Sequence, residues 1–263
     1  MKNNLDRTIE KFGAGKKTGI MAHLVTGYPT LALSKKIAQS LVAGGADIIE
    51  IQVPFSDPMA DGPLIVEACQ KSLDNGTKVK DSFALAAFVD KTLKTPVVLM
   101  TYANIVIHMG IEKFCDECKK HKISGVIVPD LPHDSKEGEE LKKQATRKGI
   151  HLIYVLSPAI EKERLEKISR QATGFLYCTS RQGTTGTGKR FASDLHSYLK
   201  RVKKSSHLPL AVGFGISSHK DIKEIKPEGD IAVIGSAVID LIQKTPTQNI
   251  LKTIEKFVVR LNQ

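Results

Sequence analysis

Short apolar runs that read as strands recur along this chain with helical segments between them, and that alternation constrains the fold more than any other feature. The strand-like runs are Gly19–Val25, Asp47–Val53, Val97–Tyr102, Gly125–Asp130, His151–Leu156, Gly174–Thr179, Leu210–Phe214 and Ile231–Gly235, eight in all. The segments between them carry helical spacing. Leu33, Ile37 and Leu41 form one stripe that ends at Gly44-Gly45, and Leu251, Ile254, Phe257, Val258 and Leu261 form another after Pro246. The gap between the second and third strands holds two helices, about 64–75 and 79–93. Alternating strands and helices imply parallel pairing with right-handed crossovers. Eight units in 263 residues match a closed (β/α)₈ barrel of the TIM type with extra helices, and a doubly wound open sheet is the competitor. With no linker or composition shift, residues 1–263 read as a single catalytic domain.

Charge and cysteines remove several function classes. Lys and Arg exceed Asp and Glu by 39 − 28 = 11. The basic residues lie in short clusters on helical segments, such as Lys35-Lys36, Lys119-Lys120 and Lys200 to Lys204, with no aromatic residues between them to stack bases. Solvated helix faces explain them, so no nucleic-acid partner is expected. The four cysteines are too scattered for a disulfide framework. Cys115, Cys118 and His121 share a helical face but lack a fourth ligand, so no metal is expected. No run is long and apolar enough to span a bilayer, and the first residues lack the apolar core of a signal peptide; a cytoplasmic chain with no membrane partner is the expectation.

In a barrel, catalytic groups belong on strand C-termini and the loops after them. The second strand carries Glu50 amid Ile48, Ile49, Ile51 and Val53, and the following loop, broken by Pro54, Pro58 and Gly62, supplies Asp57 and Asp61. Burial disfavours the charged form of Glu50. A desolvated acid beside a solvated one suits general acid/base chemistry. A buried glutamate tied to one backbone partner is the structural alternative.

Three glycine-bearing turns come late: Ser180 to Arg190, Gly213-Phe214-Gly215-Ile216-Ser217, and Gly235-Ser236. Loops at this end of a barrel often cradle a phosphate on backbone amides and a helix N-terminus. Gly183 to Lys189 fits G-x-x-x-x-G-K, but Arg190 replaces the Ser or Thr that a nucleotide-binding loop needs for its metal, so a closing lid is the better reading. Tyr102, Tyr177 and Phe214 lie near strand ends and fit either a pocket or the core. No histidine stands out: His23 lies in the first strand, and His133, His207 and His219 read as solvated loop residues.

Glu50, Pro54-Phe-Ser-Asp-Pro58, Asp61-Gly62-Pro63, Tyr102-Ala-Asn104, the Gly183–Gly186 loop, Gly213 to Ser217 and Gly235-Ser236, in this order, closely resemble the tryptophan synthase alpha subunit over essentially the whole chain. The resemblance implies lyase activity: retro-aldol cleavage of indole-3-glycerol phosphate to indole and glyceraldehyde 3-phosphate. It implies Glu50 as the acid/base and Asp61 as the acceptor of the indole N–H proton. Tyr177, Thr185, Gly186, Phe214, Gly215, Gly235 and Ser236 would bind the phosphate-bearing substrate. Pro54, Asp57, Pro58 and Asn104 would meet a beta subunit in an alpha-beta-beta-alpha heterotetramer. No cofactor is implied in this chain, and pyridoxal phosphate is expected in the beta subunit. The chain departs from the common pattern at Ala22 to Pro29, at Gln52 in place of a frequent glycine, and at Gln182 and Thr184. A non-catalytic activator of the beta subunit and another phosphate-binding barrel enzyme are the alternatives.

Overall fold

In a computed structural model of the chain, which describes residues 2–12, 17–179, 195–213 and 215–263, all the strands pair in parallel. The strands are β1 (Gly19–Val25), β2 (Ile48–Gln52), β3 (Val97–Met100), β4 (Gly125–Ile127), β5 (His151–Ile153), β6 (Val155–Leu156), β7 (Leu176–Thr179), β8 (Leu210–Gly213) and β9 (Ile231–Ile234). The helices are α1 (Asn4–Ile9), α2 (Leu31–Ala43), α3 (Pro63–Asp74), α4 (Val79–Phe88), α5 (Ala103–Met109), α6 (Ile111–Lys120), α7 (Lys136–Lys148), α8 (Lys162–Gln171), α9 (Leu195–Ser205), α10 (His219–Ile225), α11 (Ser236–Lys244) and α12 (Ile250–Leu261). Among the described residues no helix is long and apolar enough to cross a membrane.

The sheet order β5-β4-β3-β2-β1-β9-β8-β7-β6 closes through the chain itself, because β5 and β6 are two halves of one expected strand, interrupted at Tyr154. β5 pairs with β4 and β6 pairs with β7. A closed barrel staggers its strands, so a short strand meets its two neighbours at different heights. That stagger turns eight expected strands into nine observed segments. Several strands also stop earlier than expected. β4 ends at Ile127 rather than Asp130, close to Pro129, which has no N–H to continue a ladder.

Strand periodicity divides the apolar residues into two cores. One face of each strand packs on the surrounding helices, as with Leu24, Ile49, Ile51, Leu99, Val126, Cys178, Val212 and Ile234. The other face fills the barrel with Met21, Ile48, Val98, Ile127, Ile153, Phe175, Ala211, Ile231 and Val233. Helix α1 adds Leu5 and Ile9 to this interior cluster and Phe12 follows just after it, so apolar side chains seal the N-terminal end of the barrel. Its start is fixed by Asn3, whose side chain accepts from the Leu5 and Asp6 N–H groups while Asp6 accepts from the Asn3 N–H.

The outer helices follow the expected stripes. Helix α2 starts at the Thr30 cap and stops before Gly44-Gly45, where Gly45 takes φ +102°, a left-handed conformation that favours glycine. The basic pairs Lys35-Lys36 and Lys119-Lys120 are exposed on α2 and α6, as solvated faces require. Cys115 and Cys118 point inward from α6 and are fully buried in the helix-facing core.

Candidate active site

Parity along the strands decides what faces the barrel's open end. Ile48 and Glu50 share the inner face of β2, and Met21 and His23 share that of β1. The β1–β2 register sets His23 directly opposite Glu50. The interior is therefore apolar up to Met21 and Ile48 and polar one layer higher. A cavity opens there, lined by His23, Glu50, Asp61, Tyr177, Gly213 and Gly235 among others. Its apolar wall comes from Ile65, Met100, Ile127, Val155 and Val233.

Glu50 is 2% exposed. Its Oε1 lies 3.4 Å from His23 Nδ1, and its Oε2 is buried without a hydrogen-bond partner among the described residues. The carboxylate thus has one oxygen beside an imidazole and one oxygen uncommitted. The backbone partner of the structural alternative is not what the site provides.

Asp61 differs from the solvated acid that its loop position suggested. It is 6% exposed, because the chain turns inward after Pro58, where the Asp61 N–H donates to the Pro58 carbonyl at 2.9 Å. Gln52 Nε2 donates to Asp61 Oδ2 at 2.6 Å, and the Tyr102 hydroxyl donates to the same oxygen at 2.7 Å. Tyr102 in turn accepts from the Ala60 N–H at 3.2 Å, and Phe55 stacks on its ring with centroids 5.2 Å apart. Burial raises the Asp61 carboxyl above its ordinary value; the Tyr102 hydroxyl, His23 and Gln52 oppose that rise, and Glu50 adds to it.

Tyr177 projects from β7 into the same cavity. Burial, and then the Glu50 and Asp61 carboxylates, hold its hydroxyl well above the usual tyrosine range, so it stays protonated. Its ring lies against the Gly213 backbone: a Cβ at Gly213 would stand 2.5 Å from the ring, so only glycine fits beneath it.

Gly215 and Gly235-Ser236 line the same cavity, after β8 and β9, with β9 next to β1 in the sheet. Gly215 has φ +57° with open space where a Cβ would stand. Gly235 caps α11 with no side-chain hydrogen bond, leaving the first amides of the helix available to an anion in the cavity. Of the expected substrate-binding residues, Tyr177, Gly215, Gly235 and Ser236 are therefore brought together around one cavity. Thr185, Gly186 and Phe214 lie outside the described residues, as does the loop with Gln182 and Thr184.

The four positions expected to meet a partner divide. Asp57 and Asn104 are exposed near the mouth, whereas Pro54 and Pro58 are buried in the chain's own packing. Met59, next after Pro58, is 84% exposed. Sequence reading passed over His23 and Gln52. The available signal was a polar side chain on the inner face of an otherwise apolar strand. Of the three histidines expected in solvent, His133 is 5% exposed with its ring edge-on to Tyr154, His219 is half-buried with Nδ1 2.9 Å from the Leu261 carbonyl, and His207 is exposed.

A parallel (β/α)₈ barrel in which two buried carboxylates line one cavity with glycine turns and a helix start is an architecture suited to acid/base chemistry on an anionic substrate. The family profile described as "Tryptophan synthase alpha chain" matches residues 9–262, and the chain belongs to that family. The tryptophan synthase alpha chain of Desulfotalea psychrophila is 38% identical over 258 residues, covering 97% of this chain and 99% of that protein. That of Methanocaldococcus jannaschii is 39% identical over 253 residues, covering 94% and 89%. Among solved structures, Mycobacterium tuberculosis tryptophan synthase superposes with TM-score 0.88 at 27% identity, covering 100% of this chain and 98% of that one. A mutant tryptophan synthase alpha subunit from Pyrococcus furiosus gives TM-score 0.85 at 28% identity, covering 93% and 97%.

Proposed function

We propose that residues 1–263 act as one barrel domain that catalyses the alpha reaction of tryptophan synthase, the retro-aldol cleavage of indole-3-glycerol phosphate to indole and glyceraldehyde 3-phosphate. The observation that carries this reading is that Glu50 and Asp61 line one cavity together with the Gly235–Ser236 helix start. The phosphate is held by Gly215, Gly235 and Ser236, together with Gly186 and Thr185 of the lid. The indole ring lies on the apolar wall beside Tyr177, and Phe214 is a further substrate-binding residue.

The chemistry needs two coordinated proton movements. Asp61 Oδ1 accepts the indole N–H proton while Glu50 Oε2 gives its proton to the indole carbon that carries the glycerol chain. Glu50 Oε2 then takes the proton of the adjacent glycerol hydroxyl. As that carbonyl forms, the C–C electron pair returns to the ring and Asp61 gives the proton back to the nitrogen. Burial strengthens both interactions, because neither carboxylate competes with bulk water.

Indole is then handed to a beta subunit, in an alpha-beta-beta-alpha heterotetramer whose beta subunit carries pyridoxal phosphate. The exposed Asp57, Met59 and Asn104, with Pro54 and Pro58 shaping the loop from beneath, form the docking face. The four cysteines are free thiols, which suits the reducing cytoplasm. The test is release of indole from indole-3-glycerol phosphate by the purified chain, with and without a beta subunit, compared with Glu50→Gln. Loss of indole in that variant with binding retained supports the reading. Full cleavage by the variant overturns it, and no cleavage by the unaltered chain, alone or with the beta subunit, favours a non-catalytic activator.

A further inference from the structure

The inner face of β1 places an ionisable side chain in this cavity for which the cleavage just described has no task. His23 is 3% exposed and faces Glu50 across the β1–β2 ladder, its Nδ1 3.4 Å from Oε1. Its Nε2 is buried without a hydrogen-bond partner among the described residues. The Cγ–Cδ2 edge of the ring passes 3.7–3.9 Å from where a Cβ on Gly235 would stand. The imidazole therefore spans the distance between the acid and the anion-binding turn. An apolar ring would fill this place without burying an idle nitrogen, which costs free energy when unpaired. What the imidazole adds over such a ring is a donor to Glu50 and a second proton-binding atom.

We propose that His23 is a positioning residue that acts through Glu50: the two side chains together hold one proton, Nδ1 fixes Oε1, and Oε2 is the outlet to substrate. The proposal rests on Glu50 being the acid/base of the cleavage. The balance is simple. The proton held by the pair leaves from Oε2 to the indole carbon, and the hydroxyl proton of the substrate returns to Oε2, so each turnover restores the pair. His23 never touches the reacting atoms.

The surroundings support a shared proton. Burial pulls the His23 imidazole down, but the Glu50 carboxylate beside it, and Asp61 beyond, outweigh that, and the net shift is upward. The groups that face it are Glu50 from β2, Asp61 from the loop after β2 and Tyr177 across the cavity on β7. The neighbouring strand β9 is wholly apolar. Two groups this close titrate as a pair, and the basic limb of the rate profile reports their shared proton.

The test is the pH dependence of kcat/KM for indole release by the unaltered chain, His23→Phe and His23→Gln. With His23→Phe, Glu50 must hold the proton alone, and the basic limb moves to lower pH by about one unit or more, the size of effect expected from losing a close charge partner. With His23→Gln, the amide still positions Oε1 and KM stays within about threefold, yet the limb moves down as well because an amide stores no proton. A merely structural histidine would leave the limb in place in both variants, and that result overturns the proposal. Should either variant fold poorly, histidine NMR titration of the unaltered chain and of Glu50→Gln decides the question. The His23 midpoint falls when Glu50 is neutral, and an unmoved midpoint overturns the pairing. Glu50→Gln also separates the two levels of argument. Cleavage surviving in that variant refutes the role of Glu50 itself, whereas cleavage lost with unmoved limbs in the His23 variants refutes only the shared proton.

Discussion

Glu50 and Asp61 come from β2 and the loop after it and line one cavity, yet their surroundings have opposite chemistry. Glu50 meets a single ionisable partner at 3.4 Å, the His23 imidazole. Asp61 is gripped at one oxygen by two neutral donors, Gln52 at 2.6 Å and Tyr102 at 2.7 Å. Neutral donors favour a carboxylate without exchanging protons with it, which suits a base that must begin ionised. A titratable neighbour can instead exchange a proton with the carboxylate, which suits a group that must both give and take one. In both corners one oxygen is held and the other is left to work. The difference teaches that burial alone does not assign acid and base here; the kind of partner on the committed oxygen does.

That contrast can be broken from either side. Glu50→Gln removes the proton-carrying carboxyl and is expected to lower kcat for indole formation by at least about 10³-fold, near the upper range for general acid/base groups, with the circular dichroism spectrum unchanged. Asp61→Asn keeps the shape and the hydrogen-bond acceptor but removes the base, with an expected loss of about 10²-fold in steady-state kcat.

Tyr102→Phe strips one of the two donors from Oδ2. It also deprives the Ala60 N–H of its acceptor, so chemical denaturation should show about 1–2 kcal/mol less stability. The acid limb of kcat/KM should move up in the same variant, because Asp61 loses a contact that held its carboxyl down. An unmoved acid limb would remove Asp61 from the role of base. Gln52→Leu should produce the same upward displacement on a smaller scale, since Gln52 ranks below the tyrosine among the groups lowering Asp61.

The smallest effect concerns stability and pH. The folded-state value for Asp61 is raised, so its contribution is fully present below the ordinary aspartate value of 3.8 and is lost as pH rises through the folded value. Asp61→Asn should therefore be more stable than the unaltered chain at neutral pH, with the gap closing towards pH 4. Urea denaturation of both proteins across that range measures the gap, and a constant difference would mean that Asp61 is not strained by burial.

Much of the fold was legible in the residues themselves. The pattern of β-branched runs and helical stripes located every strand, and Gly44-Gly45 marked the end of α2 as expected. Where reading and structure part, the cause is pairing. The break at Tyr154 arises from the barrel's stagger, which no single strand's pattern encodes. Glu50 was legible because a charge amid isoleucines has few bland explanations. Tyr177 and the late glycines were legible because strand ends of a barrel converge on one face.

By itself, then, the sequence determined the barrel, the glycine turns and the presence of two acids in one βα unit, since local periodicity and turn chemistry are written residue by residue. Only the tertiary structure decided which neighbours those acids have. His23 is 27 positions from Glu50 in the chain and Tyr102 is 41 from Asp61, and strand register and a loop's inward turn bring each pair together. Those contacts make Asp61 a buried acid rather than a solvated one. They also turn a strand histidine into the partner of Glu50.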